Sequence, residues 1–386
     1  MRSIYLSPLF LDNYNIYFSY LYYPEYRKYL YADLPSDLGT NYVFGLPLLS
    51  NGRLYHNINV NFKNQFNKKI LKIPFHLLSL TGLYFFWNFF VFLVFVLIKK
   101  PNIIHINNGG FPASDACNHF VFLLTFFPEI KLVYQINSTP SKANKIFIKI
   151  INRRVDYFLT HSKFNSSLLI RLGFSRNKVK SFFSYFNDTS ISNKNIFKED
   201  FASCFNIVAV GFLEKRKGHS YLIKSFQILK KHRNDIYKKF HLHIIGSGEQ
   251  YECLNELIQL HNLEDSISLW GARKDYIDFI IHSDVFVLSS ISDEDMPLVL
   301  LSAMQYGKCI LATKVAGIND VLKGGYNSIL LDVDTATLAS NLCKSLIELY
   351  ENGSVRDFMS KNIKESFSKT FSAEVYFNNL NSLYCN

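Results

Sequence analysis

Apolar and polar residues alternate in a regular pattern along the second half of the chain. Apolar runs rich in β-branched and aromatic residues occur at 205–211, 241–246, 266–271, 284–290, 309–313 and 328–331. Stretches with helical periodicity, such as 220–232 and 298–306, separate them. Continuous apolar strands that alternate with helices predict a parallel sheet covered on both faces. Ligands of such sheets bind at the carboxyl ends of the strands.

The first half predicts a second α/β domain, with strands at 101–108, 131–137, 155–162 and 179–187. Residues 1–10 are more typical of a first strand than of a signal peptide, because no charged region followed by an apolar run and a small-residue cleavage site is present. The polar run at 187–200 is typical of a linker. Since 386 residues exceed one ordinary compact core, we expect two domains.

One segment of the first half is strongly apolar, since 20 of the 26 residues from 73 to 98 are aliphatic or aromatic. This length permits a membrane span. A span would separate residues 1–72 from the rest of the first domain, however. Six residues also interrupt the run, namely Pro74, His76, Ser79, Thr81, Gly82 and Asn88. The pattern therefore favours a core helix before the strand at 101–108, or a helix that also dips into a membrane surface.

Positive charge is concentrated in the first domain, where residues 1–190 carry 21 Lys and Arg against 8 Asp and Glu. Within 141–154, four basic residues recur at helical spacing, with four apolar residues on the other side: Lys142, Lys145, Lys149 and Arg153, and Ile146, Phe147, Ile150 and Ile151. Such a helix suits anionic lipid headgroups. An ordinary solvated face on a core helix has the same pattern. Charge alone also fits nucleic acid, but no recognition motif accompanies it.

The six cysteines are widely spaced and form no CxxC pair. This spacing matches neither a disulfide framework nor a structural zinc site. We therefore expect buried free thiols and a reducing compartment.

Two loops at the carboxyl ends of predicted strands carry the candidate chemistry. The first, VGFLEKRKGH (210–219), places Arg216 and Lys217 before Gly218, which opens a helix. Cationic side chains and helix N-terminal amides are suited to a diphosphate, although a basic solvated turn has the same composition. The turn IGSGEQ (245–250) lacks the third glycine of a dinucleotide site, because Tyr251 stands there.

The second loop, SDEDMPLV (292–299), contains the acidic residues Asp293, Glu294 and Asp295. Glu294 could accept hydrogen bonds from sugar hydroxyls. Pro297 suits the first turn of a helix, where the amides of Leu298 and Val299 favour an anion. Two alternatives are a divalent metal, because Asp293-x-Asp295 matches a DxD pattern, and capping of the helix by one of the acids.

These segments resemble the group 1 (family 4) retaining glycosyltransferases. The resemblance lies, in order along the chain, in VGFLEKRKGHSYLIKSF, IGSGEQ, WGARKDYIDFIIHSDVFVLSS, EDMPLVLLSAMQYGKCILATKVAGINDVL and NSILL. It covers residues 155–350. The segment PNIIHINNGGFPASDA (101–116) is similar to a first-domain segment of members from bacterial surface-polysaccharide pathways.

The resemblance implies an α/β fold of the GT-B class, in which two Rossmann-like, doubly wound domains face each other across a cleft. Residues 1–190 would form the acceptor-side, membrane-facing domain, and residues 191–370 the nucleotide-sugar-binding domain. A C-terminal helix at 371–386 would return to the first domain. The implied reaction retains the anomeric configuration and needs neither a metal nor a cofactor.

The resemblance also implies roles for individual residues. The catalytic residues would be Lys217, which neutralises charge on the leaving diphosphate, and Glu294, which contacts the transferred sugar. Glu294 is the first acid of the family's Glu-x7-Glu motif. The donor would also be held by Arg216, Asp295, Met296, Leu298, Val299, Ser302, Gly109, Gly110 and Asn137.

Three positions depart from the family pattern. Ser302 stands where the second Glu of the motif usually holds the ribose hydroxyls. Phe212 replaces the phosphate-binding Arg of many members, and Asn137 replaces a His that often lines the sugar pocket. These departures weaken the expected donor affinity without removing an obligatory catalyst.

We therefore expect a retaining, metal-independent glycosyltransferase that moves a sugar from a nucleotide-sugar donor to a lipid-linked saccharide acceptor. The pathway would be bacterial O-antigen or capsule biosynthesis. The protein would be cytoplasmic and peripheral on the inner face of the cell membrane, on an anionic surface and without a nucleic-acid partner. The alternative is a catalytically weak or inactive glycosyltransferase-like partner protein.

Overall fold

The computed structural model describes residues 18–21, 43–49, 58, 65–80, 82–109, 111–112, 115–183, 185–187, 201–292 and 294–385. The chain divides into two compact units. The first comprises Met1–Thr160, Leu168–Lys180 and Phe377–Asn386, and the second comprises His161–Ser167 and Ser181–Tyr376. The predicted strand at 1–10 and most of the predicted linker lie outside the described residues.

The first unit contains a four-stranded sheet. Its strands, in order across the sheet, are β3 (Ile103–Asn108), β4 (Lys131–Ile136), β5 (Tyr157–Thr160) and β6 (Val179–Ser181). The pairs β3–β4 and β4–β5 are parallel, as is a separate pair of short strands, β1 (Phe18–Leu21) and β2 (Val43–Leu46). The four predicted strands of the sheet are confirmed, although β6 is shorter than predicted.

Helices connect these strands: α1 (Gln65–Leu80), α2 (Leu83–Lys99), α3 (Asp115–Leu123), α4 (Lys145–Arg154) and α5 (Lys163–Leu172). A short 3₁₀ turn, Leu124–Phe126, follows α3. The core of the unit is formed by β3, β4 and β5 with one side of α2, α3 and α4, and it includes Phe92, Leu132 and Ile151.

The apolar stretch at 73–98 forms two helices. Helix α2 begins after Gly82, whose left-handed backbone (φ 76°) favours glycine. One side of α2 is buried, and Phe92 stacks on Phe120 with ring centroids 4.0 Å apart. The prediction of a core helix before β3 is therefore confirmed. Among the described helices, none combines the length and the apolarity that crossing a bilayer requires.

The side of α2 that faces away from the core is exposed and strongly apolar. Its exposed residues are Leu83, Phe86, Trp87, Phe90, Val94, Leu97 and Ile98, and Phe122 and Phe126 are also exposed. Phe122 and Phe126 contact α2 through its aromatic rings. The ring centroids of Phe85 and Phe122 are 5.3 Å apart, and those of Phe89 and Phe126 are 6.1 Å apart. We call this set of residues the aromatic surface.

Helix α4 is basic and amphipathic as predicted, but two of the four residues predicted on its apolar side, Ile146 and Ile150, are exposed. Ile148 and Ile151 are buried, whereas Ile146 is 71% exposed and Ile150 is also exposed. The helix begins where the Asn144 side chain accepts a hydrogen bond from the Ile146 amide. Isoleucines therefore share the exposed face with the lysines.

The second unit contains a six-stranded parallel sheet. Its strands, in order across the sheet, are β12 (Ile329–Leu331), β11 (Cys309–Thr313), β10 (Val285–Leu288), β7 (Phe205–Val210), β8 (Phe240–Ile245) and β9 (Ile267–Leu269). All six predicted strands are confirmed. Every residue of β7, β8, β10 and β11 is buried, as expected for strands covered on both faces.

The covering helices are α6 (His219–His232), α7 (Asn234–Tyr237), α8 (Tyr251–Leu260), α9 (Tyr276–His282), α10 (Leu298–Gln305), α11 (Ile318–Val321), α12 (Leu338–Glu351) and α13 (Gly353–Phe371). Two apolar cores result, one on each side of the sheet. A last helix, α14 (Ala373–Cys385), ends the chain and contributes its residues from Phe377 onward to the first unit.

All six cysteines are free thiols, as the spacing predicts. The expectation that they are buried is wrong for most of them. Only Cys309 and Cys343 are buried, while Cys253 and Cys385 are exposed. Burial raises the pKa of the Cys309 thiol to about 12, so this thiol is chemically inert at neutral pH.

Candidate functional site

The strand order of the second unit places two loops side by side. Strand β7 lies at the centre of the sheet. The next two strands along the chain, β8 and β9, lie on one side of it, and β10, β11 and β12 lie on the other side. The loops after β7 and β10 therefore leave neighbouring parallel strands at the same edge. This position, where the strand order reverses, is the usual ligand site of doubly wound sheets.

Backbone hydrogen bonds hold these two loops together. The Ile291 amide donates to the Arg216 carbonyl at 2.7 Å, and the Ser289 hydroxyl donates to the Lys217 carbonyl at 3.0 Å. Gly218 makes this approach possible, because a Cβ there would lie 2.0 Å from the Ser289 carbonyl oxygen. Its backbone is also left-handed, with φ 68°. The glycine thus fixes the loop that carries the two cations.

A buried ion pair joins the two loops. Lys217 Nζ contacts Glu294 Oε1, and both residues are less than one tenth exposed. The Ser290 hydroxyl donates to the same oxygen at 2.7 Å. Arg216 lies 3.5 Å from it and is held by Glu214 at 2.6 Å. Two cations and one buried carboxylate therefore converge at the edge of the sheet.

The backbone around Glu294 is fixed by the loop after β11. The Gly317 amide donates to the Glu294 carbonyl at 3.1 Å. A Cβ on Gly317 would lie 1.8 Å from the Asp295 carbonyl oxygen, so the two backbones touch. The acid is therefore positioned before any ligand arrives, which lowers the entropy lost on binding.

Asp295 faces a different group of side chains. Burial raises the pKa of its carboxyl, and the neighbouring Ser162 hydroxyl and His161 imidazole act in the opposite direction. Burial also disfavours the charged form of His161 and therefore lowers the pKa of its imidazole. Neither His161 nor Ser162 was predicted as a site residue from the sequence. The available signal was that both follow strand β5, at the carboxyl edge of a parallel sheet.

The N-terminus of α10 lies directly after the acids. Pro297 is the N-cap residue, one position earlier than the first-turn placement predicted. The first amides of a helix have no acceptor within it and favour an anion. Leu298 is half exposed, and Met296 and Val299 are partly buried. These positions are compatible with the predicted donor contacts, which stay predictions.

Ser302 is completely buried within α10. Its hydroxyl donates to the Leu298 carbonyl one turn earlier, at 3.2 Å. A contact with a ribose would need another rotamer of Ser302 and stays a prediction. Phe212, which stands in place of an Arg, is 64% exposed.

The alternatives for the acidic residues can now be compared. The carboxylate of Glu294 binds Lys217, Arg216 and Ser290, and the cap of α10 has no side-chain hydrogen bond. Asp293 lies outside the described residues. The part of the chain that the structure describes contains no group of three or more His, Cys, Asp or Glu that could hold a metal ion. The described contacts of Glu294 are therefore with two cations and a hydroxyl, and they give this acid no capping role.

The remaining predicted residues lie in the first unit. Gly109 follows β3 and Asn137 follows β4, and both are exposed. The Asn137 amide nitrogen donates to Asn107 Oδ1, and the Gln135 amide donates to Asn137 Oδ1 at 3.1 Å. Gly110 lies outside the described residues. Asn107 was not predicted as a site residue from the sequence.

The chain is similar to known proteins in sequence. Residues 193–366, which make up most of the second unit, match the family model of glycosyl transferases group 1. Over 371 residues the chain is 26% identical to an uncharacterized glycosyltransferase of Methanocaldococcus jannaschii, covering 93% of this chain and 87% of that protein.

A second relative has a named activity. This protein of Campylobacter jejuni is an N-acetylgalactosamine-N,N'-diacetylbacillosaminyl-diphospho-undecaprenol 4-alpha-N-acetylgalactosaminyltransferase. It is 24% identical over 283 residues, which is 72% of this chain and 73% of that protein.

The fold is also similar to solved structures. The Anabaena protein HepE, crystallised in complex with UDP, superposes with a TM-score of 0.63 at 18% sequence identity, over 77% of this chain and 82% of that chain. The solved neighbours are GT-B glycosyltransferases, so the predicted α/β fold with two Rossmann-like domains is confirmed. The chain therefore has the GT-B fold, and its residues 193–366 are similar to the group 1 glycosyl transferases.

Proposed function

We propose that this protein is a retaining, metal-independent glycosyltransferase that uses a nucleotide-sugar donor. The observation that supports this most strongly is the buried contact of Lys217 with Glu294 at the reversal point of the second sheet. A buried cation and a buried carboxylate at a ligand edge supply both a phosphate contact and a hydroxyl acceptor. The similarity to group 1 glycosyl transferases supports the same reaction class.

The arrangement suggests how a donor is held. Without a ligand, Glu294 balances the charge of Lys217. A donor diphosphate competes for Lys217 and Arg216 and also accepts hydrogen bonds from the first amides of α10. Glu294 then accepts hydrogen bonds from sugar hydroxyls. As the glycosidic bond breaks, charge grows on the leaving diphosphate, and Lys217 stabilises that charge most strongly in the transition state.

The proposed acceptor is a lipid-linked saccharide of bacterial O-antigen or capsule biosynthesis. The name of the Campylobacter relative refers to a diphospho-undecaprenol substrate, which supports this class of acceptor. A lipid-linked acceptor requires access to a membrane surface. In the first unit, the exposed face of α4 combines Lys145 and Lys149 with Ile146, and the aromatic surface exposes Phe86 and Phe90.

Donor binding tests the proposal. Saturation-transfer NMR on the purified protein, without added metal, would use UDP-, GDP-, ADP- and dTDP-sugars as probes. We expect one donor to bind, and we expect Glu294→Ala and Lys217→Ala each to weaken it. Absence of binding at millimolar concentration would overturn the proposal. It would favour a catalytically inactive partner protein, to which the burial of Ser302 also points.

Vesicle binding tests the membrane component. Lys142, Lys145 and Lys149 are exposed, and each basic residue near an anionic bilayer contributes about 1 kcal/mol. We expect the triple variant Lys142→Glu, Lys145→Glu and Lys149→Glu to bind vesicles of phosphatidylglycerol at least about 100-fold more weakly. Cosedimentation across a lipid titration measures this.

The matched control has the same change in charge on the second unit. The variant Lys231→Glu, Lys238→Glu and Lys239→Glu alters three exposed lysines there. We expect it to keep most of the vesicle affinity. Equal losses in the two triple variants would indicate attraction by net charge alone, and unchanged binding of the first would contradict a role for the basic segment 142–149.

A further inference from the structure

A chain of side-chain hydrogen bonds crosses one face of the first sheet and ends at an exposed pair of asparagines. The Tyr384 hydroxyl lies 2.7 Å from His105 Nδ1, and His105 Nε2 lies 3.1 Å from Gln135 Oε1. The Gln135 amide nitrogen continues to Asn137 Oδ1 at 3.1 Å. Asn137 Nδ2 then contacts Asn107 Oδ1. Five side chains, from β3, from β4 and the residue that follows it, and from α14, are therefore connected.

Strand geometry explains why these residues meet. Residues two apart on a strand share a face of the sheet, which places His105 with Asn107 and Gln135 with Asn137. The parallel register sets Asn107 opposite Gln135. The intervening residues of β3, Ile104 and Ile106, are buried in the apolar core. One face of these strands therefore packs into the core, and the other carries the polar chain.

The hydrogen bonds of the chain all run in one direction. Gln135 donates to Asn137 through its nitrogen, so its oxygen accepts from His105 Nε2. The other imidazole nitrogen, Nδ1, must then accept from the Tyr384 hydroxyl. Because Asn107 Oδ1 accepts from Asn137, the group that Asn107 offers to a ligand is its N–H₂ donor.

Two further contacts fix the start of the chain. Lys131 Nζ donates to the Tyr384 carbonyl at 3.1 Å near the end of α14. Burial lowers the pKa of His105 to about 4, which keeps the imidazole neutral at physiological pH and able to accept through Nδ1. Both ring nitrogens of His105 are therefore hydrogen-bonded.

We propose that Asn107 binds a sugar oxygen beside Asn137, and that Tyr384, His105 and Gln135 position this asparagine pair. The inference rests on the proposed function, since it assigns a sugar as the ligand. A donor-only amide end fits an acceptor oxygen of a hydroxyl, a ring or an acetamido group. The sugar can belong to the donor or to the acceptor saccharide, and these two sources are distinguished by the probes.

The first experiment compares Asn107→Asp with Asn107→Ala and with a control. The aspartate keeps the shape of Asn107 but has no N–H donor. Asn177→Asp is the matched control, since Asn177 is also an exposed asparagine of the first unit. Saturation-transfer titrations would use the nucleotide sugars, the free nucleoside diphosphates, and methyl glycosides of common hexoses and N-acetylhexosamines.

We expect Asn107→Asp to weaken sugar binding about tenfold or more. The variant loses one hydrogen bond to the sugar, and its carboxylate oxygen repels the sugar oxygen that Asn107 would bind. Asn107→Ala should lose less affinity for the sugar than Asn107→Asp, and Asn177→Asp should bind the sugar as tightly as the wild type. Weakening of nucleotide sugars, with free nucleoside diphosphates unaffected, identifies the donor sugar. Weakening of methyl glycosides alone identifies the acceptor. Unchanged binding of both sugar classes by Asn107→Asp overturns the inference.

The positioning residues are tested by a double-mutant cycle. Tyr384→Phe and His105→Leu should each weaken binding of the same sugar about threefold. The glutamine of His105→Gln can both donate and accept hydrogen bonds, so this variant should keep much of the affinity that His105→Leu loses. If Tyr384 acts through Asn107, adding Tyr384→Phe to Asn107→Ala should have no further effect. Additive losses would assign Tyr384 a purely structural role and contradict the relay.

The outcome for the wild-type protein separates the two proposals. A wild-type protein that binds donors while Asn107→Asp behaves like wild type refutes only this inference. A wild-type protein that binds neither donors nor glycosides overturns the proposed function and this inference together.

Discussion

Replacing Lys217 with methionine is expected to lower the rate of sugar transfer by about two to three orders of magnitude, which is the usual effect of removing one preorganised contact to a developing charge. Lys217 is buried beside Glu294 in the loop that follows β7, and Gly218 and Ser289 hold its backbone. Methionine keeps most of the length and the apolar stem while removing the charge. The measurement is the single-turnover rate with saturating donor, which separates chemistry from binding.

Stability has to be measured beside the rate, because the ion pair is buried. Removing one partner of a buried pair leaves an uncompensated charge and costs about 3–5 kcal/mol. The double variant Lys217→Met with Glu294→Gln leaves neither charge, so we expect it to regain much of the lost free energy of unfolding. It should not regain the transfer rate.

An exposed ion pair in the same unit provides the control. Lys314 lies 2.9 Å from Asp332, and both side chains are more than two fifths exposed. We expect Lys314→Met to change the rate less than twofold, since exposed pairs contribute about 0–1 kcal/mol. Recovery of the rate in the double variant, or a loss below tenfold in Lys217→Met, would contradict the assigned role of Lys217.

The sheet of the second unit could be predicted from the sequence because its strands are buried on both faces. A strand such as β7 then appears as an unbroken apolar run between turn residues, and this pattern does not depend on partners elsewhere. The place of Lys217 and Glu294 followed from the same pattern. Both lie just after strands, and parallel strands bring their carboxyl ends to one edge.

Features that depend on contacts between distant residues could not be predicted. The partner of His105 is Tyr384, 279 positions away, and the neighbours of Asp295 include His161 and Ser162. Periodicity also failed on α4, because isoleucine occurs on both faces and only packing decides which of them is buried. Local pattern predicts an element, whereas the choice of its buried side is made by tertiary packing.

Acidification is expected to destabilise the folded protein strongly below about pH 6.5. Burial lowers the pKa of five histidines: to about 4 for His105, His219 and His241, to about 3 for His243, and also below its ordinary value for His161. An unfolded chain has histidine pKa values near about 6.5. Between these values the unfolded state binds more protons, so the free energy of unfolding falls as the pH drops from about 6.5 to about 4.

The packing of His243 shows why its protonation is unfavourable. The ring is fully buried, its Nδ1 accepts from the Trp270 indole at 3.1 Å, and its Nε2 lies 3.0 Å from Asn206 Oδ1. The neighbouring His241 ring lies only 4.6 Å away, centroid to centroid. A proton on Nδ1 would break the bond from Trp270. Between about pH 6.5 and its folded-state pKa, each such histidine lowers the free energy of unfolding by about 1.4 kcal/mol for every pH unit of acidification.

Urea unfolding at pH 8, 6.5 and 5.5 measures the effect, and two variants assign it. His243→Gln removes one buried titrating ring. We therefore expect the free energy of unfolding of this variant to fall by about 1 kcal/mol less than that of the wild type between pH 6.5 and 5.5. His232 is exposed at the end of α6, and His232→Gln should leave the pH dependence unchanged. A free energy of unfolding that stays constant from pH 8 to 5.5 would show that these rings accept protons in the folded state, because equal proton binding by both states gives no slope.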